Sequence, residues 1–155
     1  MRVLVCCLLA GMSFGCGSKE NVSLSASLVN PSVGVTALAL GTELSGGFDL
    51  RLELGEQAPE ATQVALGTFS LRRGQTEVVS AVPLAPEGGV TFPLSIAVGE
   101  VRVVHMSFDS SSLLQASEGD AICQGPLEIV GTVTDSLNAG KATTAQSPSV
   151  TPNCQ

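Results

Sequence analysis

The sequence predicts an all-β fold, a single antiparallel β-sandwich of roughly seven to nine strands with immunoglobulin-like or similar topology. Three observations carry that expectation. Apolar residues from Val22 onward recur mostly at every second position, the period of a half-buried strand. These runs are short and are divided at regular intervals by turn residues, as in sandwich domains. No stretch of the body sustains a long helical period. With 155 residues, 44% of them apolar and 14% charged, the chain is long enough to bury one sizeable core and too short for a large multidomain enzyme.

The candidate elements follow in order. Leu24, Ala26 and Leu28 alternate with Ser23, Ser25 and Ser27, and a second run extends from Val33 to Leu40, with Asn30-Pro31 between them as a turn. The clearest alternation is Phe48, Leu50, Leu52 and Leu54 interleaved with Asp49, Arg51 and Glu53, after a turn at Ser45-Gly46-Gly47. From Val64 to Arg72 the phase slips between Leu66 and Phe69, and Gly67 at the slip predicts a β-bulge. Arg73-Gly74 leads into Glu77 to Leu84, and Pro86-Glu87-Gly88-Gly89 into Val90 to Val98. Within the latter, Pro93 has no N–H for a ladder and predicts an edge strand or a bulge. Val101 to Phe108 follows, then Ser110 to Ser117, a short helix behind Asp109 as its cap. Leu127 to Thr134 and Ala142 to Ala145, separated by the turn Asn138-Ala139-Gly140, complete the set.

The N-terminus carries an address. Met1-Arg2 precedes an uncharged run from Val3 to Met12, and the small residues Ser13, Gly15 and Gly17 follow, which is the layout of a secretory signal peptide. The run is too short to span a bilayer as a helix, which takes about 20 residues. Gly15-Cys16-Gly17-Ser18, placed directly behind it, resembles a bacterial lipoprotein signal peptide over Met1 to about Ser18. The resemblance implies a signal peptide at 1–15, a lipidated Cys16 that begins the mature chain with its acyl (palmitate) chains and a short tether at 16–21, and the alternating body then forms the sandwich domain at 22–155. Ser13 and Phe14 depart from the family pattern, which favours Leu and a small residue there. In Gram-negative members of that family an aspartate after the cysteine marks inner-membrane retention. Gly17 at that position therefore points to a lipid anchor in the outer membrane of a bacterial cell envelope. Ordinary signal-peptidase cleavage, which Ser13 and Gly15 also satisfy, gives the same start without the lipid.

Removing residues 1–15 takes away Cys6 and Cys7 and leaves Cys16, Cys123 and Cys154. An odd count would leave an exported free thiol. Lipidation of Cys16 removes the oddness and leaves Cys123 and Cys154 to form a disulfide in an oxidising compartment, pinning a Ser-, Thr- and Pro-rich tail that would otherwise fray.

Two shorter resemblances lie inside the body. Glu118-Gly119-Asp120-Ala121-Ile122-Cys123 resembles the corner before the second cysteine of immunoglobulin domains, without an upstream cysteine in the mature body or the Trp that packs on the pair. Gly131-Thr132-Val133-Thr134-Asp135 resembles the opening strand of carboxypeptidase-regulatory-like modules, but lies near the end of this chain.

Composition narrows the function classes. A net charge of −7 argues against a nucleic-acid partner, because phosphate binding needs a basic face. With no Trp or Tyr, the chain lacks the usual stacking platforms for sugars or bases. The single histidine, His105, falls with Ser107 opposite Val104, Met106 and Phe108. No ligand spacing, nucleophile motif or orienting carboxylate adjoins it, so it reads as an ordinary surface histidine. Asp109, Glu118 and Asp120 are weighed as a Ca²⁺ site against a solvated acidic loop, and Arg72-Arg73 as an anion contact against a charged hairpin tip. Asn21-Val22-Ser23 fits the glycosylation sequon, which the bacterial address argues against. No catalytic residue, metal or cofactor is expected. The sequence thus points to a non-catalytic module held to the membrane by a lipid anchor, binding an envelope protein partner or supporting a surface complex. The alternatives are a small-ligand or glycan binder and a hydrolase working with carboxylates alone.

Overall fold

The computed structural model describes residues 23–109 and 114–155. Over these residues the chain forms β1 (Leu24–Leu38), β2 (Gly41–Leu54), β3 (Thr62–Arg73), β4 (Thr76–Val79), β5 (Leu84–Pro86), β6 (Leu94–Ile96), β7 (Val101–Asp109), α1 (Ala116–Cys123), β8 (Glu128–Asp135), β9 (Ala142–Gln146) and β10 (Asn153–Cys154). One sheet has the order β10-β1-β2-β7-β5 and the other β4-β3-β8-β9, with β6 also paired to β3. The strands β1, β2, β7 and β5 thus stand as A, B, E and D of an immunoglobulin sandwich, and β3, β8 and β9 as C, F and G.

Alternation builds the core. Phe48, Leu50, Leu52 and Leu54 of β2 are at most 1% exposed. Across the ladders they meet Leu28, Ala26 and Leu24 of β1 and Met106 and Val104 of β7. The second sheet answers with Val64, Phe69 and Leu71 of β3 and Ile129 and Val133 of β8. Immunoglobulin domains fill their centre with a strand C Trp against a disulfide between strands B and F. Here Phe69 of β3 stacks on Phe48 of β2, ring centroids 5.6 Å apart, and the two sheets meet through that pair. On β8 the residue facing Phe69 is Gly131, and a Cβ there would enter the Phe69 ring.

Two expected turns are strand features instead. Val29 faces Asp49 and Ser32 faces Gly47, so Asn30 and Pro31 together oppose Phe48 as a bulge within the single strand β1. Asn30 takes φ 53°, a left-handed conformation that Asn tolerates. The bulge switches the inward set from Leu24 and Leu28 to Val33 and Val35. Ser45-Gly46-Gly47 continues β2, paired to Asp109, Phe108 and Ser107. The Phe108 ring lies 2.6 Å from where a Cβ on Gly46 would sit, so the glycine serves packing rather than reversal. The reversal falls at 39–40, between the paired ends Leu38 and Gly41. The bulge expected at Gly67 is present as a register shift between Leu66 and Phe69.

Ten strands stand where seven to nine were expected. Leu24–Leu28 and Val33–Leu40 merge, Glu77–Leu84 divides into β4 and β5 on different sheets, and the tail adds β10. Val90–Val98 shrinks to the edge strand β6 behind a cis Phe92-Pro93 peptide, in keeping with the edge placement that Pro93 implies.

The helix lies further along the chain than expected. Asp109 ends β7 opposite Ser45 instead of capping a helix, 110–113 lie outside the described residues, and α1 begins at Ala116. Its start is fixed by Gln115 N–H, which donates to Glu118 Oε2 at 2.8 Å, the backbone half of a capping box. Arg73 Nη2 holds its far end, donating to the carbonyls of Ala121, Ile122 and Gly125 at 2.9, 3.1 and 3.2 Å. A cation at the end of α1 also opposes the negative end of the helix dipole.

Candidate binding groove

A groove of about 780 Å³ opens at the end of the sandwich where β1 turns into β2. Three elements make it. The β1–β2 hairpin runs past the sheet and supplies Val35, Ala37, Leu38 and Leu40. The helix α1 forms one wall, seated on β2 through Gly119, where a Cβ would come within 2.7 Å of the Thr42 side chain. The tail forms the opposite wall: Gln155 N–H donates to Val35 O at 2.9 Å, and Ala37 N–H donates to Gln155 O at 2.8 Å.

The expected disulfide is present. Cys123 at the end of α1 and Cys154 on β10 are bonded, with Cα atoms 6.2 Å apart, and both line the groove. The bridge thus clamps the two walls together. It differs from the immunoglobulin pair that the Glu118–Cys123 resemblance brings to mind, because Cys123 lies in the connection between β7 and β8 rather than on a strand. Asp120 is the one ionisable side chain among the lining residues, and it makes no described hydrogen bond or ion pair; its neighbour Glu118 is committed to the helix start.

A second polar constellation lies on the outer face of the β1-β2-β7 sheet. His105 points outward as its parity requires, and the ladder sets it directly opposite Asp49. Nδ1 of His105 donates to Asp49 Oδ1 at 2.6 Å, and Asn30 Nδ2, presented by the bulge in β1, donates to Asp49 Oδ2 at 2.7 Å. The other ring nitrogen faces Glu87 Oε2 at 3.9 Å. The hydrogen bond to Asp49 raises the His105 pKa, with the Glu87 charge adding to it against partial desolvation. The same bond, followed by that from Asn30, lowers the Asp49 pKa. An orienting carboxylate is therefore present although none adjoins His105 in the sequence, because strand register brings it from 56 residues away. Ser107, the same-face neighbour of His105, turns its hydroxyl away to donate to Ala85 O at 3.3 Å.

The remaining candidates separate. Asp109, Glu118 and Asp120 take up a strand end, a helix cap and the groove, and no group of three His, Cys, Asp or Glu among the described residues is arranged to hold a metal ion. Arg72 pairs with Glu77 at 3.4 Å across the β3–β4 hairpin, while Arg73 caps α1. Cys16 and the Asn21-Val22 part of the sequon lie outside the described residues. A further carboxylate that sequence reasoning missed is Asp135, 3% exposed. Its Oδ1 accepts from Leu137 N–H at 2.9 Å and Asn138 N–H at 3.0 Å, and its Oδ2 from Asn138 Nδ2 at 2.8 Å, so it ties the β8–β9 turn. The Asp-x-x-Asn spacing ahead of Ala139-Gly140 is the signal that would have found it. No protein-family model, curated protein or solved structure matches the chain.

Proposed function

We propose that the chain is a lipid-anchored, non-catalytic module of the bacterial envelope, outer-membrane bound, that binds a protein partner. The observation that carries this reading is the Cys123–Cys154 disulfide. It consumes two of the three cysteines left after residue 15, so Cys16 is the odd one, and Cys16 stands behind the apolar run where lipoproteins are acylated. A disulfide also suits an exported chain. The non-catalytic part is supported by the setting of His105, whose ring nitrogens face two carboxylates while the neighbouring Ser107 hydroxyl turns away.

The test is intact mass of the protein extracted from membranes of its native host. The expected result is a chain that begins at Cys16 and carries acyl groups. A chain beginning at Met1, or an unmodified Cys16, overturns the anchor. A stoichiometric protein partner is expected to co-purify after gentle detergent extraction, and retention of full activity by His105→Ala in any assay that partner provides supports the absence of catalysis. Loss beyond about a hundredfold, the scale of removing a general acid or base, contradicts it.

A further inference from the structure

We infer that the groove between α1 and the β1–β2 hairpin docks an apolar segment of a partner protein that carries one lysine or arginine, held against Asp120, on the side of the domain facing away from the membrane. This rests on the anchored-module reading and adds the site and the chemistry of the partner.

Position comes first. β1 begins at Leu24, next to the proposed tether, and ends at Leu38 in the groove, spanning 15 residues. At about 3.3 Å per residue the strand separates the two by roughly 40 Å or more. Acyl chains on Cys16 inserted in a bilayer leave the groove well clear of the lipid, so its occupant comes from the aqueous side.

The lining then selects the occupant. Leu38 and Leu40 are 46% and 88% exposed, and they adjoin a concave surface instead of standing alone, which is how apolar recognition surfaces differ from scattered surface leucines. The volume of about 780 Å³ lies within the range of built binding sites, about 300–1,000 Å³. Among the described lining residues Asp120 is the only ionisable side chain, with no Lys or Arg, and the whole chain carries −7. An apolar segment with a cation satisfies Asp120, whereas an acidic segment meets uncompensated repulsion. The disulfide and the Gly119 seat hold the walls in place beforehand, which lowers the ordering cost of docking.

The test uses the full chain in its native host, with a photo-crosslinking phenylalanine derivative at Leu40 and, in a separate strain, at Val103 on the outer sheet face. The cross-linked peptide is identified by mass spectrometry. The expected adduct at Leu40 is a segment of another protein with apolar residues flanking a Lys or Arg. Asp120→Lys is expected to lower its yield about tenfold, the equivalent of one charge-assisted contact, while Asp120→Glu retains it. Unchanged melting of both variants establishes that the groove itself is intact. Adducts to phospholipid, to a second copy of this chain or to a segment without a basic residue overturn the inference, as do no adduct at all and a yield indifferent to Asp120→Lys. If Leu40 fails while Cys16 is acylated and Val103 captures a protein, the anchored module stands and only the groove assignment falls. An unacylated Cys16 removes the module reading itself.

Discussion

His105 and Asp49 make a pair whose response to pH has a defined sign. Folding raises the His105 pKa above its ordinary 6.5, so its contribution is fully present below that value and disappears as pH rises through the raised one. Folding lowers the Asp49 pKa below its ordinary 3.8, so its share is present above that value and disappears as pH falls through the lowered one. Both groups face solvent, and the net effect on stability is small. The titration itself is the sharper readout: Asp49→Asn is expected to bring the His105 ring-proton NMR titration midpoint back down, and an unmoved midpoint would mean that the contact is absent in solution. The parity of His105 was legible from Val101 to Phe108 alone, whereas its partner depended on strand register, which no local pattern encodes. Gly131 is a second single-residue test. A methyl there must displace the Phe69 ring, and Gly131→Ala is expected to cost about 1–3 kcal/mol in chemical denaturation, the ordinary penalty of overpacking.

Among the elements, α1 depends on groups far away in the chain. Arg73 supplies, from the β3–β4 hairpin, two hydrogen bonds to its last turn and one to Gly125 just beyond, so Arg73→Leu is expected to destabilise the protein by about 2 kcal/mol and to speed hydrogen exchange in α1 before the sheets. Exchange that rises equally everywhere would contradict a local role. The bridge from α1 to β10 closes a sequence separation of 31, and replacing both Cys123 and Cys154 by Ser is expected to cost about 3–4 kcal/mol in the chain-entropy model, seen as a lower Tm. These dependences explain the displaced helix: Asp109 looked like a cap by local chemistry, but the ladder with β2 claims it, and the seat on Thr42 fixes where helix is useful. The Asn30-Pro31 misreading has a similar origin. Turn residues also make bulges, and only the change from even to odd inward positions distinguishes the two.

At the scale of the whole molecule, the sandwich was legible because Phe48 to Leu54 and Val104 to Phe108 obey a two-residue period that admits one buried face. Its partition into two sheets was not, since the crossing between β4 and β5 occurs inside a mostly apolar run, Val78 to Leu84, broken by Ser80 and Pro83 alone. The groove was illegible for the same reason, being assembled from a hairpin tip, a helix and a tail that are distant in sequence.

The length of β1 has a mechanical consequence. The strand joins β2 through thirteen residue pairs and, near its far end, holds β10 on its other edge. If the domain is gripped at Leu24 and at the hairpin tip, tension runs along the strand axis. Tension between those grips is carried by the backbone of the strand itself, which is already extended, so the ladder bonds that lie across that axis are not peeled open. A pull between these two points is expected to release little chain length in single-molecule stretching, whereas a pull between Leu24 and Arg73, which draws β1 and β3, on separate sheets, away from each other, is expected to release much more. The same strand that spaces the two ends of the molecule would then also serve as its tension rod.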